Sequence, residues 1–348
     1  MSSSKITRIL IIGYGSIGKR HLRIARELMP NADIRVMRHK VTNQVPVYAN
    51  GCLFNIVDAV TFAPQIAVIA SPAPFHITTA QALSEAGINL LIEKPLSVSL
   101  DGISQLIDTC QKHRVFISIG YNLRFFLSLQ RYREFLKEGI IGKIFSVRSE
   151  IGQYLPSWRP DKDYRQAVSA RYELGGGVLL ELSHELDYLS WILGEVEWVK
   201  ATLSRQSMLE INVEDTAHLT LGFLSDGDGH QLIASLNLDF IRHDTTRLCV
   251  AIGEKGSLRW NGMSGAVDFY GVGSHEWKEL FQHPEQRDDS YIAEWKNFLQ
   301  FINGHKTIMS TGNDGLKIME IIEAARQSDV LGGVRYDLAT LHSKKVDL

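Results

Sequence analysis

The sequence predicts an α/β protein in two parts: an N-terminal doubly wound parallel sheet, then a C-terminal α/β domain built on a large, mostly antiparallel open sheet. Three observations predict it. Short, almost wholly apolar runs alternate with helical patterns through the first third, as expected of parallel strands covered on both faces. A glycine-rich turn follows the first of those runs. Beyond about residue 125 the runs lengthen and alternate apolar with polar residues, the period-2 pattern of strands with one covered face.

Residues 8–12, RILII, run directly into Gly13-Tyr14-Gly15-Ser16-Ile17-Gly18, and Ile17, Ile24, Ala25 and Leu28 give the following segment a helical period. Strand, GxGxxG and helix in that order is the dinucleotide-binding arrangement of a Rossmann domain. Its glycines permit a tight turn, close approach of backbone to a pyrophosphate, and tight packing of helix on strand, with the anion at the helix N-terminus. Residues 13–18 are therefore candidate cofactor contacts. The strand-like segments DIRVM (33–37), IAVIA (66–70), INLLI (88–92) and VFISIG (115–120) continue the sheet, and PFHITTAQALSEAG and SLDGISQLIDTCQKHR are the intervening helices.

Ligands of such sheets bind beyond the carboxyl ends of the strands, where Ser71-Pro72, Glu93-Lys94-Pro95 and Tyr121-Asn122 fall. At the end of the second strand an NAD enzyme usually places an acid for the ribose hydroxyls. Here that end reads Met37-Arg38-His39-Lys40, and Asp33 lies at the opposite end. Three potentially cationic side chains favour NADP over NAD, with Arg38 the residue placed for a 2′-phosphate.

In the second part a helix over FLSLQRYREFLKEG leads into strands KIFSVRSEIGQ, VEWVKATLS, DTAHLTLGFL, HQLIASLNLDF and TRLCVAIG, and Ser225-Asp226-Gly227-Asp228-Gly229 has hairpin-turn chemistry. Helices near 290–303 and 312–328 close the chain. The expected division is a dinucleotide-binding domain over 1–124 and a substrate-binding and oligomerisation domain over 125–348. Treated as one helix, 178–193 places Leu182, Leu186, Leu189 and Leu193 on a core stripe. His184 then faces the other way, beside Leu180, Glu181, Asp187, Tyr188 and Trp191. That mixture fits a cleft wall, or a face packed on another domain or subunit.

Composition excludes several function classes. Of 348 residues, 37 are Lys or Arg and 39 Asp or Glu, for a net charge of −2, so nothing attracts the chain to nucleic acid or an anionic membrane. Cys52, Cys110 and Cys249 are scattered, with neither disulfide nor zinc-ligand spacing. No segment approaches about 18 uninterrupted apolar residues, and the first residues lack a signal-peptide core. The expectation is a cytoplasmic protein with small-molecule partners and no resident metal.

GYGSIGKRH (13–21), SPAPFH (71–76), EKPLS (93–97), GYNLRF (120–125) and the GGG...SHELD segment (175–187) together make the chain resemble the glucose-fructose oxidoreductase, inositol dehydrogenase and rhizopine-catabolism (Gfo/Idh/MocA) family over essentially its full length. The resemblance implies a homodimer or homotetramer formed through the C-terminal sheet. It also implies hydride transfer between NAD(P) and a secondary alcohol of a sugar, inositol or nucleotide-sugar. By the same resemblance Lys94 and His184 are catalytic, Glu93 faces the cofactor ribose, the Lys94-Pro95 bond is cis, and Ser71, Pro72, His76, Lys94 and Asn122 join the cofactor set.

The chemistry fits that pairing. Taking hydride from a carbinol carbon requires the hydroxyl proton to leave, which a histidine can accept near neutral pH, while a lysine ammonium can stabilise charge developing on the oxygen. Which of the two takes the proton stays open. Arg124, Tyr154, Trp158, Tyr164, Arg165 and Asp187 are candidates to orient a polyhydroxylated or anionic substrate. One departure stands out: many family members carry Asp four residues before the histidine, and here that position is Leu180. Glu181 is the expected substitute. The GGGVLLELSHE segment resembles enzymes of surface-sugar metabolism, including sialic-acid-like sugars. Two alternatives keep the fold: transient oxidation for elimination or epimerisation on tightly bound NAD, or a non-catalytic dinucleotide-binding regulator.

Overall fold

The computed structural model describes residues 6–343 apart from Lys40, Thr42, Asn43, Asp226 and Asp228. The chain forms two compact units, residues 1–122 with 288–319 and residues 123–287 with 320–348. The first unit therefore takes in residues 288–319 beyond the expected 1–124.

In the first unit, β1 (Arg8–Ile12), β2 (Asp33–Met37), β3 (Gly51–Leu53), β4 (Ile66–Ile69), β5 (Asn89–Ile92) and β6 (Ile117–Ile119) lie in the order β3-β2-β1-β4-β5-β6. All five pairings among them are parallel. A two-residue strand, Ser310–Thr311, adds antiparallel to β6. Ile9–Ile12, Ile66–Ile69 and Leu90–Ile92 are all buried, which is why these strands read as unbroken apolar runs rather than alternating ones. The crossover helices are α1 (Ser16–Leu28), α2 (Ile56–Phe62), α3 (His76–Glu85) and α4 (Ile103–His113). Strand order reverses between β1 and β4, the switch point whose carboxyl end opens a crevice for ligands.

The second unit carries a nine-stranded sheet in the order 278–282, 266–271, 256–261, 246–253, 144–152, 233–239, 216–223, 196–204, 336–337. Every pairing is antiparallel except 144–152 with 233–239. Strands 216–223 and 233–239 form the expected hairpin; Asp226 and Asp228 of its turn lie outside the described residues. On 233–239 Ala234, Leu236 and Leu238 are buried while Ile233 and Asn237 are exposed, so one face is covered and the other is not. Buried hydroxyl bonds tie the covering helices down: Tyr188 to Ser149 at 2.6 Å, and the Trp260 indole N–H to Ser128 at 3.0 Å.

The expected single helix over 178–193 is two, Val178–Glu181 and His184–Leu193, interrupted at Leu182-Ser183. Among the described residues, no helix is long and apolar enough to cross a membrane.

Candidate cofactor and catalytic site

The turn after β1 shows a separate steric reason for each glycine. Gly13 has φ +92°, and a Cβ there would sit 2.6 Å from the Ala70 carbonyl oxygen. A Cβ on Gly18 would collide with the Gly13 carbonyl, so that glycine sets how closely α1 packs on β1. A Cβ on Gly15 would meet no atom within 4 Å. The middle glycine thus faces open space at the first turn of α1, where unpaired helix N–H groups favour an anion.

A cavity of about 260 Å³ opens beside this turn, with Gly13, Tyr14, Met37, Arg38, His39 and Ser71 in its wall. The carboxyl ends of β1, β2 and β4 thus converge on it. The Arg38 guanidinium lies 5.0 Å from the centre of the Tyr14 ring, and Lys19 Nζ lies at the same 5.0 Å. His39 packs on Phe75 at 6.1 Å. Lys40, the third cation expected at this end, lies outside the described residues. Ser16 is exposed and Ile17 half-buried in the first turn of α1, and Pro72 is half-buried after β4.

His76 opens α3 fully buried, with Nδ1 3.0 Å from the Pro95 carbonyl oxygen and Nε2 2.7 Å from that of Ser71. It links the loops that leave β4 and β5. Burial pushes its pKa down, against the opposing pull of the two carbonyls and of Glu93. A neutral ring donates to only one of the two carbonyls at a time.

At the end of β5, Glu93 is 7% exposed. Its Oε1 is 2.6 Å from His21 Nε2, and Oε2 accepts from the Lys94 backbone N–H at 3.3 Å. A Cβ at residue 120 would come within 3.1 Å of that Oε2, so Gly120 leaves room for the carboxylate. The Lys94-Pro95 peptide is cis, and the Lys94 side chain is half-buried. Asn122 is buried and donates to Ser290 Oγ at 2.8 Å, inside the same unit.

In the second unit, His184 is the first residue of its helix and half-buried. The helix break puts it at a helix start rather than mid-helix. Glu181 closes the preceding short helix, and its Oε2 accepts from Ser169 Oγ at 3.0 Å. That short helix is itself held by Glu214, whose Oε1 accepts from the Leu179 N–H at 3.1 Å; burial pushes the Glu214 pKa up. Two of the substrate candidates pair with each other: Arg124 Nε and Nη2 reach the Asp187 carboxylate at 2.9 and 2.7 Å, with both side chains buried. Removing either would strand a buried charge. Tyr154 stacks on His243 at 4.2 Å, and the Trp158 indole N–H donates to the Gln153 carbonyl. Arg165 is exposed, paired with Asp163 at 2.8 Å and Glu210 at 2.7 Å, and the Tyr164 hydroxyl accepts from the Glu210 N–H. Sequence reasoning passed over His21, Tyr291, Glu294 and Trp295. Of these only His21 carried a signal, its place in the helix after the glycine turn; the other three come from a segment more than 160 residues downstream of the strand ends they serve.

Two family descriptions match the chain: "Oxidoreductase family, NAD-binding Rossmann fold" over residues 7–121, and "Oxidoreductase family, C-terminal alpha/beta domain" over residues 133–335. The chain is 27% identical to the uncharacterized oxidoreductase YrbE of Bacillus subtilis (strain 168), over 92% of this chain and 94% of that protein. It is 24% identical to inositol 2-dehydrogenase of Rhizobium meliloti (strain 1021), over 92% and 96%. The WlbA dehydrogenase from Bordetella pertussis, solved in complex with NADH and UDP-GlcNAcA, shares the fold with a TM-score of 0.78 at 20% identity, over 96% of this chain and 98% of that one.

Proposed function

This chain belongs to the Gfo/Idh/MocA oxidoreductase family, and we propose that it transfers a hydride between NADP and a secondary alcohol or ketone of an acidic or amino sugar, in nucleotide-activated form, within surface-sugar metabolism. The observation that carries the reading is the glycine turn with its cavity at the carboxyl ends of β1, β2 and β4, with Glu93-Lys94 directly following the neighbouring β5. A dinucleotide laid there has its pyrophosphate at the start of α1. Arg38, beside Tyr14, takes the 2′-phosphate. Support for the substrate class comes from the relatives: one is named for inositol oxidation, and another was solved with a nucleotide-linked sugar acid.

In this reading Glu93 accepts hydrogen bonds from the nicotinamide ribose. Lys94 stabilises negative charge on the reacting oxygen, and His184 moves the proton. Glu181 orients His184 in place of the acid that Leu180 replaces. Arg124 and Asp187 act as a buried pair that shapes the substrate-binding unit, and Tyr154, Trp158, Tyr164 and Arg165 are left to contact the sugar. The protein assembles as a dimer or tetramer through its nine-stranded sheet.

The test is a cofactor-reduction screen of NAD and NADP against free sugars, inositols, uronic acids and nucleotide-sugars. Reduction with at least one nucleotide-sugar is expected, falling about 10²- to 10⁴-fold in Lys94→Ala and His184→Ala. No turnover with any of these alcohols would overturn the activity. A strong preference for NAD would overturn the role of Arg38.

A further inference from the structure

Trp295 lies in the helix Asp289–Ile302 of the first unit, fully buried, and its indole N–H donates to His21 Nδ1 at 2.9 Å. The opposite ring nitrogen, Nε2, is 2.6 Å from Glu93 Oε1. His21 is itself fully buried. An indole nitrogen can only donate, so His21 Nδ1 must present its lone pair to Trp295. The one proton of the neutral ring then sits on Nε2 and points at Glu93. An imidazolium would set two N–H groups against each other at Nδ1.

The neighbouring residue sharpens the assignment. Glu294 is fully buried, and neither carboxyl oxygen has a hydrogen-bond partner among the described residues. Burial, and after it the charge of Glu93, push its pKa well up. Two carboxyls therefore share one buried neighbourhood, and they divide their roles by donors: Glu93 receives two N–H groups and is the anion, while Glu294 receives none and is the neutral acid.

We propose that Trp295 and His21 are positioning residues for the cofactor: the indole N–H fixes one neutral tautomer of His21, whose Nε2–H aims the Glu93 carboxylate as a pure acceptor for ribose hydroxyls. The inference rests on the proposed contact of Glu93 with that ribose. It explains why the chain returns residues 288–319 to the dinucleotide-binding unit: the donor that sets the tautomer comes from there.

The experiment is a double-mutant cycle read by NADPH fluorescence titration, with ¹⁵N-histidine spectra of the wild-type protein. Glu93→Gln should weaken cofactor binding about tenfold or more. Trp295→Phe, which keeps an aromatic ring and deletes the donor, should weaken it to a similar degree, yet add little in the Glu93→Gln background, because both changes act through one carboxylate. Fully additive effects, or normal affinity in Trp295→Phe beside weak binding in Glu93→Gln, would overturn the inference. Unchanged affinity in Glu93→Gln would instead overturn the ribose contact itself. The spectra decide the matter even if Trp295→Phe does not fold: His21 should show a protonated Nε2 and a bare Nδ1, and a proton on Nδ1 would refute the assignment.

Discussion

Glu294 makes the energetic cost of this arrangement measurable at one residue. Its carboxyl titrates near 4.5 when exposed and well above that in the folded protein, through burial and the charge of Glu93. Tyr291, one turn away, is pushed up by the same two causes; His21, His76 and Lys94 also face Glu93, and Arg20, paired with Asp288, lies over Tyr291. Between the two values of the Glu294 pKa the folded state holds a proton that the unfolded state has released. Stability from this group is therefore complete below about pH 4.5 and declines as pH rises toward the folded value. Glu294→Gln never ionises and should escape the decline. Its melting temperature should stay closest to wild type near pH 4.5 and exceed it by a margin that widens as pH rises above that value. Parallel melting curves across that range would show that Glu294 is ionised in the fold.

At the scale of elements, the glycine turn was the most legible part of the sequence, because each glycine answers a local constraint: a left-handed φ, a helix packed against a strand, or space for a ligand. Gly15 separates the last from the others. Since a Cβ there would meet nothing within 4 Å and its φ is −73°, Gly15→Ala should leave the melting temperature of the cofactor-free protein unchanged while weakening cofactor binding about tenfold or more. Equal loss of both would mean that the space serves the fold instead. The break at Leu182-Ser183 was illegible for the opposite reason. No glycine or proline marks it, and the short helix before it is held by the Glu214 carboxylate, 35 positions from the Leu179 N–H it accepts. Strands 256–261, 266–271 and 278–282 were also missed. In 256–261 only Leu258 and Trp260 point into the core, and 278–282 is a largely exposed edge, so none of them forms a long apolar pattern.

For the molecule as a whole, the nine-stranded sheet leaves one face uncovered. Arg148, Lys200, His218 and Asn237 are all exposed between buried neighbours on their strands, and His218 and Asn237 bond to each other across neighbouring strands at 2.7 Å. Assembly through this sheet predicts a dimer or tetramer by light scattering, and Asn237→Arg should shift it toward smaller species. A monomer at micromolar concentration would remove the sheet from the proposal.

The sequence by itself determined the parallel sheet, its glycine turn and the charged strand end at Glu93-Lys94, because strand periodicity and turn stereochemistry are set by residues adjacent along the chain. Only the tertiary structure decided that Trp295, more than 200 positions away, sets the proton on His21, that the Arg124 guanidinium pairs with Asp187, and that Glu294 sits buried with no donor among the described residues. Those outcomes depend on which distant surfaces exclude water together, and no local pattern records that.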